Sequence, residues 1–332
     1  MGKIMVYREG FRPYGAKLEY PEFRREVMEI LKEICGPEYE VKENKVLKNN
    51  SVELYGITLG PTGAKVYPTV YLEELYKSYK NGKYSLDDAA HEVLRTSSRG
   101  TLPPEFDVES FNDFEKVRAK LVYHLVNYDR NKKLLKDIPH RRWMDLALIY
   151  SVYLGRAGKS TGSITIRNEH IDSWGVEEDE LFKAAENNTC SIFPARLKAM
   201  RELLQELMGG RSDREYNFTE EVVDGASILD DMGYDMDEPP MYVLSNPQGF
   251  HGASSVLYPG LLEGYADEFK QDIYLLPSSI HEFILVPKSL TPRAEDLSAI
   301  VSDVNRSAVS PEEFLSDSVY LYSREDRRVM QV

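Results

Sequence analysis

Apolar and polar residues alternate with two different periods along this chain. Over residues 21–35 apolar side chains recur every three or four positions, which predicts an amphipathic helix. Pro21 suits the first turn of such a helix, and Gly36 followed by Pro37 ends it. Over residues 117–126 the period becomes two, which predicts a half-buried strand. The chain therefore changes from helical to strand periodicity.

Turn residues and composition predict the domain boundaries. Residues 1–100 are predicted to form one helix, a β-meander and two further helices. Ser, Gly, Pro and Asp are frequent in the stretch that follows, which predicts a linker over residues 101–115. Residues 116–323 are predicted to form the larger domain. Residues 324–332 are polar, and we expect this tail to be frayed.

The last third of the chain has the most regular pattern. It predicts strand pairs that are each followed by a helix, and residues 143–186 fit the same order. Hairpins with returning helices favour an α+β fold, mainly an antiparallel sheet built from β-β-α units with helices packed on it. The predicted strands are 241–245, 254–258, 272–276, 282–287 and 319–322, and the predicted helices include 194–208, 259–269 and 294–304.

The net negative charge argues against duplex nucleic acid as a partner. The chain has 41 Lys and Arg against 55 Asp and Glu, a net charge of −14. Because phosphate contacts need a basic face, we expect no direct binding of duplex nucleic acid. Acidic residues cluster in a predicted insertion at 211–240, which contains no basic residue between Glu220 and Glu238. This stretch lacks the alternating ligands of an EF-hand loop, so we interpret it as a solvated insertion, with a divalent-cation site as the alternative.

The length of the apolar stretches and the number of cysteines indicate the cellular compartment of the protein. No stretch approaches the ~20 apolar residues that a membrane-spanning helix needs, and the first residues contain no apolar stretch of signal-peptide length. Cys35 and Cys190 are the two cysteines, which are too few for a disulfide framework. We therefore expect a cytoplasmic protein that does not bind membranes.

One segment is similar to a phosphate-binding loop. Residues 155–160 read GRAGKS and follow an apolar strand. A P-loop needs a glycine where Tyr153 stands and a helix that begins at Lys159, whereas residues 161–171 alternate like a strand. A hairpin loop fits this pattern better, and we predict no cofactor.

The segment LLPSSIHE at residues 275–282 is the most unusual of the chain. It joins two apolar strands, and its polar side chains would gather at one end of the sheet. Ser278, Ser279, His281 and Glu282 supply the hydroxyls, imidazole and carboxylate that a nucleophile and its base require. Neighbouring strand residues point to opposite faces, so we do not expect His281 and Glu282 to orient each other. The structural alternative is that the serines cap a turn and His281 bonds to buried backbone.

Three further candidate residues lie in other segments. His251 belongs to a loop rich in Gly and Pro, and His140 and Asp145 lie around the start of a long apolar strand. If these strands are neighbours, the three residues would converge with His281 and Glu282 as an acid–base pair or as metal ligands. No pair has the spacing of a metal motif, so we predict no metal site. The other histidines, His91, His124 and His170, are interpreted as structural or exposed.

Several short motifs are distinctive enough to suggest a family. Residues 241–246 read MYVLSN and residues 276–282 read LPSSIHE. They resemble an uncharacterised bacterial protein family, a domain of unknown function in which the first motif is MYVLTN. The resemblance covers most of residues 20–323, and it implies a bacterial cytosolic origin but no reaction. Further matching pieces are Tyr55–Ile57, Pro68–Glu74, Asn127–Asn131 and Ile138–Arg142.

The sequence leaves open whether the protein has a catalytic activity. We favour a non-catalytic binding or regulatory protein, with a protein or a small molecule as its partner, because catalytic signatures are missing and the charge is acidic. The alternative is a hydrolase-type enzyme that uses polar loop residues around His281 and Glu282. In an enzyme, we expect His281 to line a concave pocket with a second titratable group within about 3.2 Å or one water away. In a binding protein, we expect His281 to be packed and bonded to backbone.

Overall fold

The computed structural model describes residues 17–63, 69–99, 109–157, 160–200, 202, 241–290 and 293–332. The chain forms two compact units. The first comprises Met1–Val46 and Glu53–Thr101, and the second comprises Leu47–Val52 and Leu102–Val332. The predicted acidic insertion at 211–240 and residues 101–108 of the predicted linker lie outside the described residues.

The first unit combines a three-stranded sheet with three helices. Phe23, Val27 and Leu31 are completely buried on one face of the first helix, which confirms the periodicity read from the sequence. The elements are α1 (Tyr20–Cys35), β1 (Tyr39–Leu47), β2 (Glu53–Pro61), β3 (Thr69–Tyr71), α2 (Glu73–Lys80) and α3 (Leu86–Arg99). The strand order is β1-β2-β3.

The second unit contains two sheets that share one core. Its strands are β4 (Leu121–Asn127), β5 (His140–Trp143), β6 (Leu146–Ala157), β7 (Ser160–Thr165), β8 (Arg196–Ala199), β9 (Tyr242–Ser245), β10 (Ile273–Ser279), β11 (Glu282–Pro287), β12 (Tyr320–Ser323) and β13 (Arg328–Gln331). One sheet has the order β4-β6-β5 with β7 paired to β6, and the other has the order β13-β12-β10-β11-β9-β8. All pairings between these strands are antiparallel. The predicted α+β class is therefore confirmed.

Helices cover the sheets of the second unit. They are α4 (Phe114–Arg118), α5 (Asn168–Trp174), α6 (Glu178–Ile192), α7 (Leu261–Phe269) and α8 (Ala294–Ala308), with 3-10 helices at Glu109–Asn112, Leu134–Lys136, Gly252–Leu257 and Lys288–Leu290. Side chains of β10 alternate between two apolar clusters: Leu275 faces the shared core, and Leu276 faces Leu297 and Val301 of α8. No helix of the described ranges has the length and apolar character needed to cross a bilayer.

Three predicted elements differ in the structure. Within the helix expected at 194–208, Arg196–Ala199 form strand β8, because these residues pair with β9 and pairing overrides helical periodicity. Residues 201 and 203–208 of that expected helix lie outside the described residues. The strand expected at 254–258 is part of the 3-10 helix Gly252–Leu257. The strand expected from residue 117 begins at Leu121, after helix α4. In the tail that we expected to be frayed, Arg328–Gln331 pairs with β12.

The GRAGKS segment belongs to a β-hairpin in its described part. Strand β6 continues to Ala157 and pairs with β7, which begins at Ser160. The hairpin prediction is confirmed there, and Gly158 and Lys159 lie outside the described residues.

Side-chain hydroxyls cover the outer edge of β4. The N–H of Tyr123 donates to Thr189 Oγ1 of α6 at 3.0 Å, and the N–H of Leu125 donates to Ser254 Oγ at 3.1 Å. Both acceptors are buried. These two backbone donors, which pair with no described strand, therefore have hydrogen-bond acceptors.

Thr189→Val tests this edge. Valine has the same shape but no acceptor, so the buried N–H of Tyr123 loses its partner, and we expect the free energy of unfolding to fall by about 2 kcal/mol. Urea denaturation measures the change. The control is Ser191→Ala on the same helix, whose hydroxyl donates to the carbonyl of Asn187 in an exposed bond, and its effect should stay below about 0.5 kcal/mol. Equal effects of the two substitutions would contradict the role of Thr189.

Candidate functional site

The LPSSIHE segment forms the turn between strands β10 and β11. The two strands pair with a register shift between Pro277 and Ser279. Ser278 Oγ donates to Glu282 Oε1 at 3.1 Å, and the N–H of His281 donates to Ser279 Oγ at 3.0 Å. The prediction that this segment joins neighbouring strands is confirmed, and its hydroxyls and carboxylate bond within the turn itself.

Three histidines from separate segments meet beside this turn. The N–H of His251 donates to His281 Nδ1 at 3.3 Å, and the two ring centroids are 5.9 Å apart. The His251 ring also stacks on His124 of β4, with centroids 4.1 Å apart and an interplanar angle of 23°. The sequence indicated His251 and His281 as candidates. His124, interpreted there as structural or exposed, is a buried member of the same cluster.

Burial keeps the two stacked imidazoles neutral. It lowers the pKa of His124 to about 4. Burial, followed by the nearby rings of His124 and His281, lowers the pKa of His251 well below its usual value. His251 Nδ1 is buried and has no hydrogen-bond partner among the described residues.

Glu313 reaches the cluster from the loop that precedes β12. Its carboxylate Oε1 lies 3.7 Å from His281 Nε2, and its carbonyl accepts the N–H of Ile280 at 2.8 Å. The side chains of His281 and Glu313 are 33% and 50% exposed, so this pair faces solvent. No sequence signal indicated Glu313, because its approach depends on a loop far along the chain.

The cluster is poorly arranged for a metal ion. The rings of His124 and His251 are nearly parallel, so their nitrogen lone pairs do not converge on one point. Within the described ranges, no group of three or more His, Cys, Asp or Glu residues is placed to hold a metal ion.

The two other candidate residues lie in different clusters. Asp145 accepts hydrogen bonds from hydroxyls near the end of the chain, among them Tyr320 OH at 2.6 Å. His140 Nδ1 lies 3.0 Å from the carbonyl oxygen of Ile138. The structure therefore brings His251 and His281 together, but it does not bring His140 or Asp145 to them.

Gly252 lets the His251 loop approach the turn. A Cβ at this position would lie closer than 3.0 Å to Ser245 Oγ, the carbonyl oxygen of His281 and the N–H nitrogen of Asn246. Two of these three atoms belong to the backbone, so a methyl group here would force the loop and the turn apart.

Gly252→Ala should therefore destabilise the protein. We expect a loss of about 2 kcal/mol in the free energy of unfolding, because overpacking displaces backbone. Thermal and urea denaturation measure the loss. Gly264→Ala on α7 is the control: its Cβ would meet nothing within 4 Å, and alanine should stabilise the helix by up to about 1 kcal/mol. A neutral Gly252→Ala would mean that the loop does not approach the turn this closely.

Comparison with known families gives one match. The model of a family of unknown function (DUF5688) matches residues 20–324. No curated protein and no solved structure matches the chain. The chain belongs to this family of unknown function, so the predicted membership in an uncharacterised family is confirmed.

Proposed function

We propose that the protein is a non-catalytic binding or regulatory protein. Its binding surface would be the rim, which we define as residues 278–282 of the β10–β11 turn and residues 311–316 of the loop before β12. Two solvent-facing side chains, His281 and Glu313, stand at its centre.

The hydrogen bonds of His281 carry this proposal. The side chain is bonded to backbone, as expected of a binding protein, but it is partly exposed rather than packed. Its Nδ1 accepts a backbone N–H, and its Nε2 lies 3.7 Å from the nearest carboxylate, which is beyond the reach of about 3.2 Å for direct proton transfer. Ser279 Oγ accepts a backbone N–H, and Ser278 Oγ donates to Glu282 rather than to an imidazole. These contacts resemble those of a positioned binding surface more than those of a nucleophile with its base.

The backbone of the rim is held from several sides. Ser245 Oγ donates to the carbonyl of His281 at 2.8 Å, and the N–H of Ile280 donates to the carbonyl of Glu313. Asn50 Nδ2 donates to the carbonyls of Pro311 and Phe314 at 2.9 and 2.6 Å. A surface that is already ordered loses little entropy when it binds. The carboxylates of Glu282 and Glu313 favour a protein or small molecule that carries basic groups.

One contact favours the hydrolase alternative. The hydroxyl of Ser278 donates to the carboxylate of Glu282, so a Ser–Glu pair exists at the turn. The hydroxyl proton points to a carboxylate and not to an imidazole, the base that most often activates a serine nucleophile. The binding function is therefore the better supported of the two.

The test compares partners captured from lysate of the producing cells by the full chain and by His281→Ala and Glu313→Ala variants. His91→Ala is the control, because His91 is exposed on α3 of the first unit, whereas every residue of the rim belongs to the second unit. Each captured partner is then purified and titrated calorimetrically. We expect one partner to bind the wild type and the control at least tenfold more tightly than the rim variants, with unchanged Tm.

Two results would overturn the proposal. The rim is not the binding surface if all variants bind every captured partner equally. The protein is a hydrolase if the purified wild type turns over ester, amide or phosphate substrates and Ser278→Ala abolishes that turnover.

A further inference from the structure

We propose that His124 and His251 form a proton-sensitive contact, which holds residues 246–252 against β4 while both rings are neutral and releases them on acidification. This role goes beyond the proposed binding function and does not depend on it. It rests on the stacked geometry of the two rings and on the cost of holding His251 in place.

The conformation of His251 is unfavourable in free energy for two reasons. Its backbone has φ +49, a left-handed conformation that side chains with a Cβ rarely adopt. Its Nδ1 is buried without a hydrogen bond from the described residues. The contacts that offset these costs are the stack on His124 and the edge of Phe250, whose centroid is 4.3 Å from the His251 ring.

The two rings differ in their freedom to move. His124 belongs to β4, where all seven residues are buried and paired with β6. His251 ends a short loop that is braced by Asn246, whose side chain bonds to the backbone of Gln248 and Phe250. When the rings of His124 and His251 no longer stack, we therefore expect the 246–252 loop to move as a unit and β4 to stay in place.

Among the described residues, no negative charge is placed to stabilise a proton on either stacked ring. The neighbouring titratable side chain is His281, which faces Glu313 on its other side, and Glu282 bonds to Ser278. The 3-10 helix Gly252–Leu257 brings no titratable group.

The strands behind β4 add no carboxylate to this site. Ile149 of β6 lies opposite His124, and His140 of β5 lies beyond it, with its Nδ1 at the carbonyl of Ile138. The segment Asn49–Ser51, which also approaches β4, carries amides and a hydroxyl. Helix α6 packs against β4 as well and carries charged side chains, but none of them affects the pKa of His124 or His251. These side chains are Glu178, Asp179, Glu180, Lys183 and Glu186. A proton on the stack would therefore be a buried, uncompensated charge 4.1 Å from a second imidazole.

The direction of the pH effect follows from this burial. In the closed loop the pKa of His124 is about 4, below the value of 6.5 expected once the ring is exposed. The closed state is thus fully stable above pH 6.5 and loses stability as the pH falls from 6.5 towards 4. For one histidine with a pKa of about 4 in the closed loop and 6.5 in the open loop, the equilibrium constant for loop opening is about tenfold larger at pH 5.5 than at pH 7.5.

Hydrogen exchange of the full chain at pH 7.5 and 5.5 tests the proposal, after correction for intrinsic exchange rates. In peptides covering 246–257, we expect the equilibrium constant for local opening to be at least about tenfold larger at pH 5.5 than at pH 7.5. In the reference helix α8, this constant should change less than about twofold. The variant His124→Phe/His251→Asn has no titratable ring and should lose the response. His91→Asn, which removes an exposed histidine on α3, should keep it.

Either of two results would overturn the proposal: equal protection of 246–257 at both pH values in the wild type, or an unchanged acid response in the double variant. If the double variant does not fold, NMR titration of the wild-type rings decides. Rings of His124 and His251 that titrate near 6.5 without increased exchange in this loop would exclude a proton-sensitive contact.

Discussion

Asp145→Ala is expected to lower the free energy of unfolding by about 4 kcal/mol. The carboxylate accepts three hydroxyl bonds, from Ser316 Oγ at 2.6 Å, Ser318 Oγ at 3.0 Å and Tyr320 OH at 2.6 Å. Tyr320 and Ser316 are almost completely buried, so each would keep an O–H group without its acceptor. Each such group costs about 1–3 kcal/mol. Burial and the adjacent carboxylate also raise the pKa of Tyr320, which keeps its hydroxyl protonated as a donor.

Urea denaturation with a fluorescence readout measures this loss. Asp129→Ala is the matched control, because its carboxylate is exposed and pairs with the exposed Lys132 at 2.7 Å. Its effect should be below about 0.5 kcal/mol. Asp145→Asn retains one acceptor oxygen and should lie between the two. If Asp145→Ala behaves like the control, the three hydroxyls do not depend on this carboxylate.

Asn131→Ala is the second substitution with a large expected effect, a loss of about 3 kcal/mol. The side chain is completely buried. Its Nδ2 lies within 3.0 Å of three acceptors, Asn49 Oδ1, Asn50 Oδ1 and the carbonyl of Asn127, and its Oδ1 accepts the N–H of Asn50 at 2.8 Å. Asn50 and Ser51 both have positive φ, so this turn needs its side-chain bonds to stay ordered.

The loss is measured by urea denaturation, with hydrogen exchange of residues 47–52 as a local readout. Asn187→Ala on α6 is the control, because that side chain is exposed and alanine favours a helix. We expect Asn131→Ala to destabilise the chain and speed exchange in the turn, and Asn187→Ala to do neither. Normal protection of residues 47–52 in Asn131→Ala would contradict the role of this amide.

The fold was predictable where periodicity and turn residues agree. Helix α1 has Pro in its first turn, an apolar face and Gly36 at its end, and these local signals define it without tertiary information. The β10–β11 hairpin was predictable because two apolar runs flank a short polar segment. Helix α8 follows from the spacing of Leu297 and Val301.

Prediction failed where distant partners decide the conformation. Residues 196–199 fit a helix by sequence, but pairing with β9 makes them an edge strand. Residues 252–257 are apolar enough for a strand, yet Ser254 and Ser255 turn their hydroxyls to the backbone of Leu125 and Ser245. No local pattern indicates either contact.

The site was predictable only in part for the same reason. His251 and His281 attract notice because each lies in a segment with polar and turn residues. His124 lies on the polar side of an alternating strand, a position typical of an exposed side chain, but the ring is buried and His251 of the 246–252 loop stacks on it. Only the folded arrangement shows that these three rings meet.

The hydroxyls of Thr189 and Ser254 also affect whether two protein molecules can associate through strand β4. A bare outer strand is a template on which a second polypeptide can add and start an aggregate. Along β4 the amides of Tyr123 and Leu125 are already engaged by side chains of the same molecule. The edge of the sheet at β4 is therefore not available for pairing with a strand of another molecule. Loss of either hydroxyl would leave an N–H group of this edge strand free to pair with another chain during refolding.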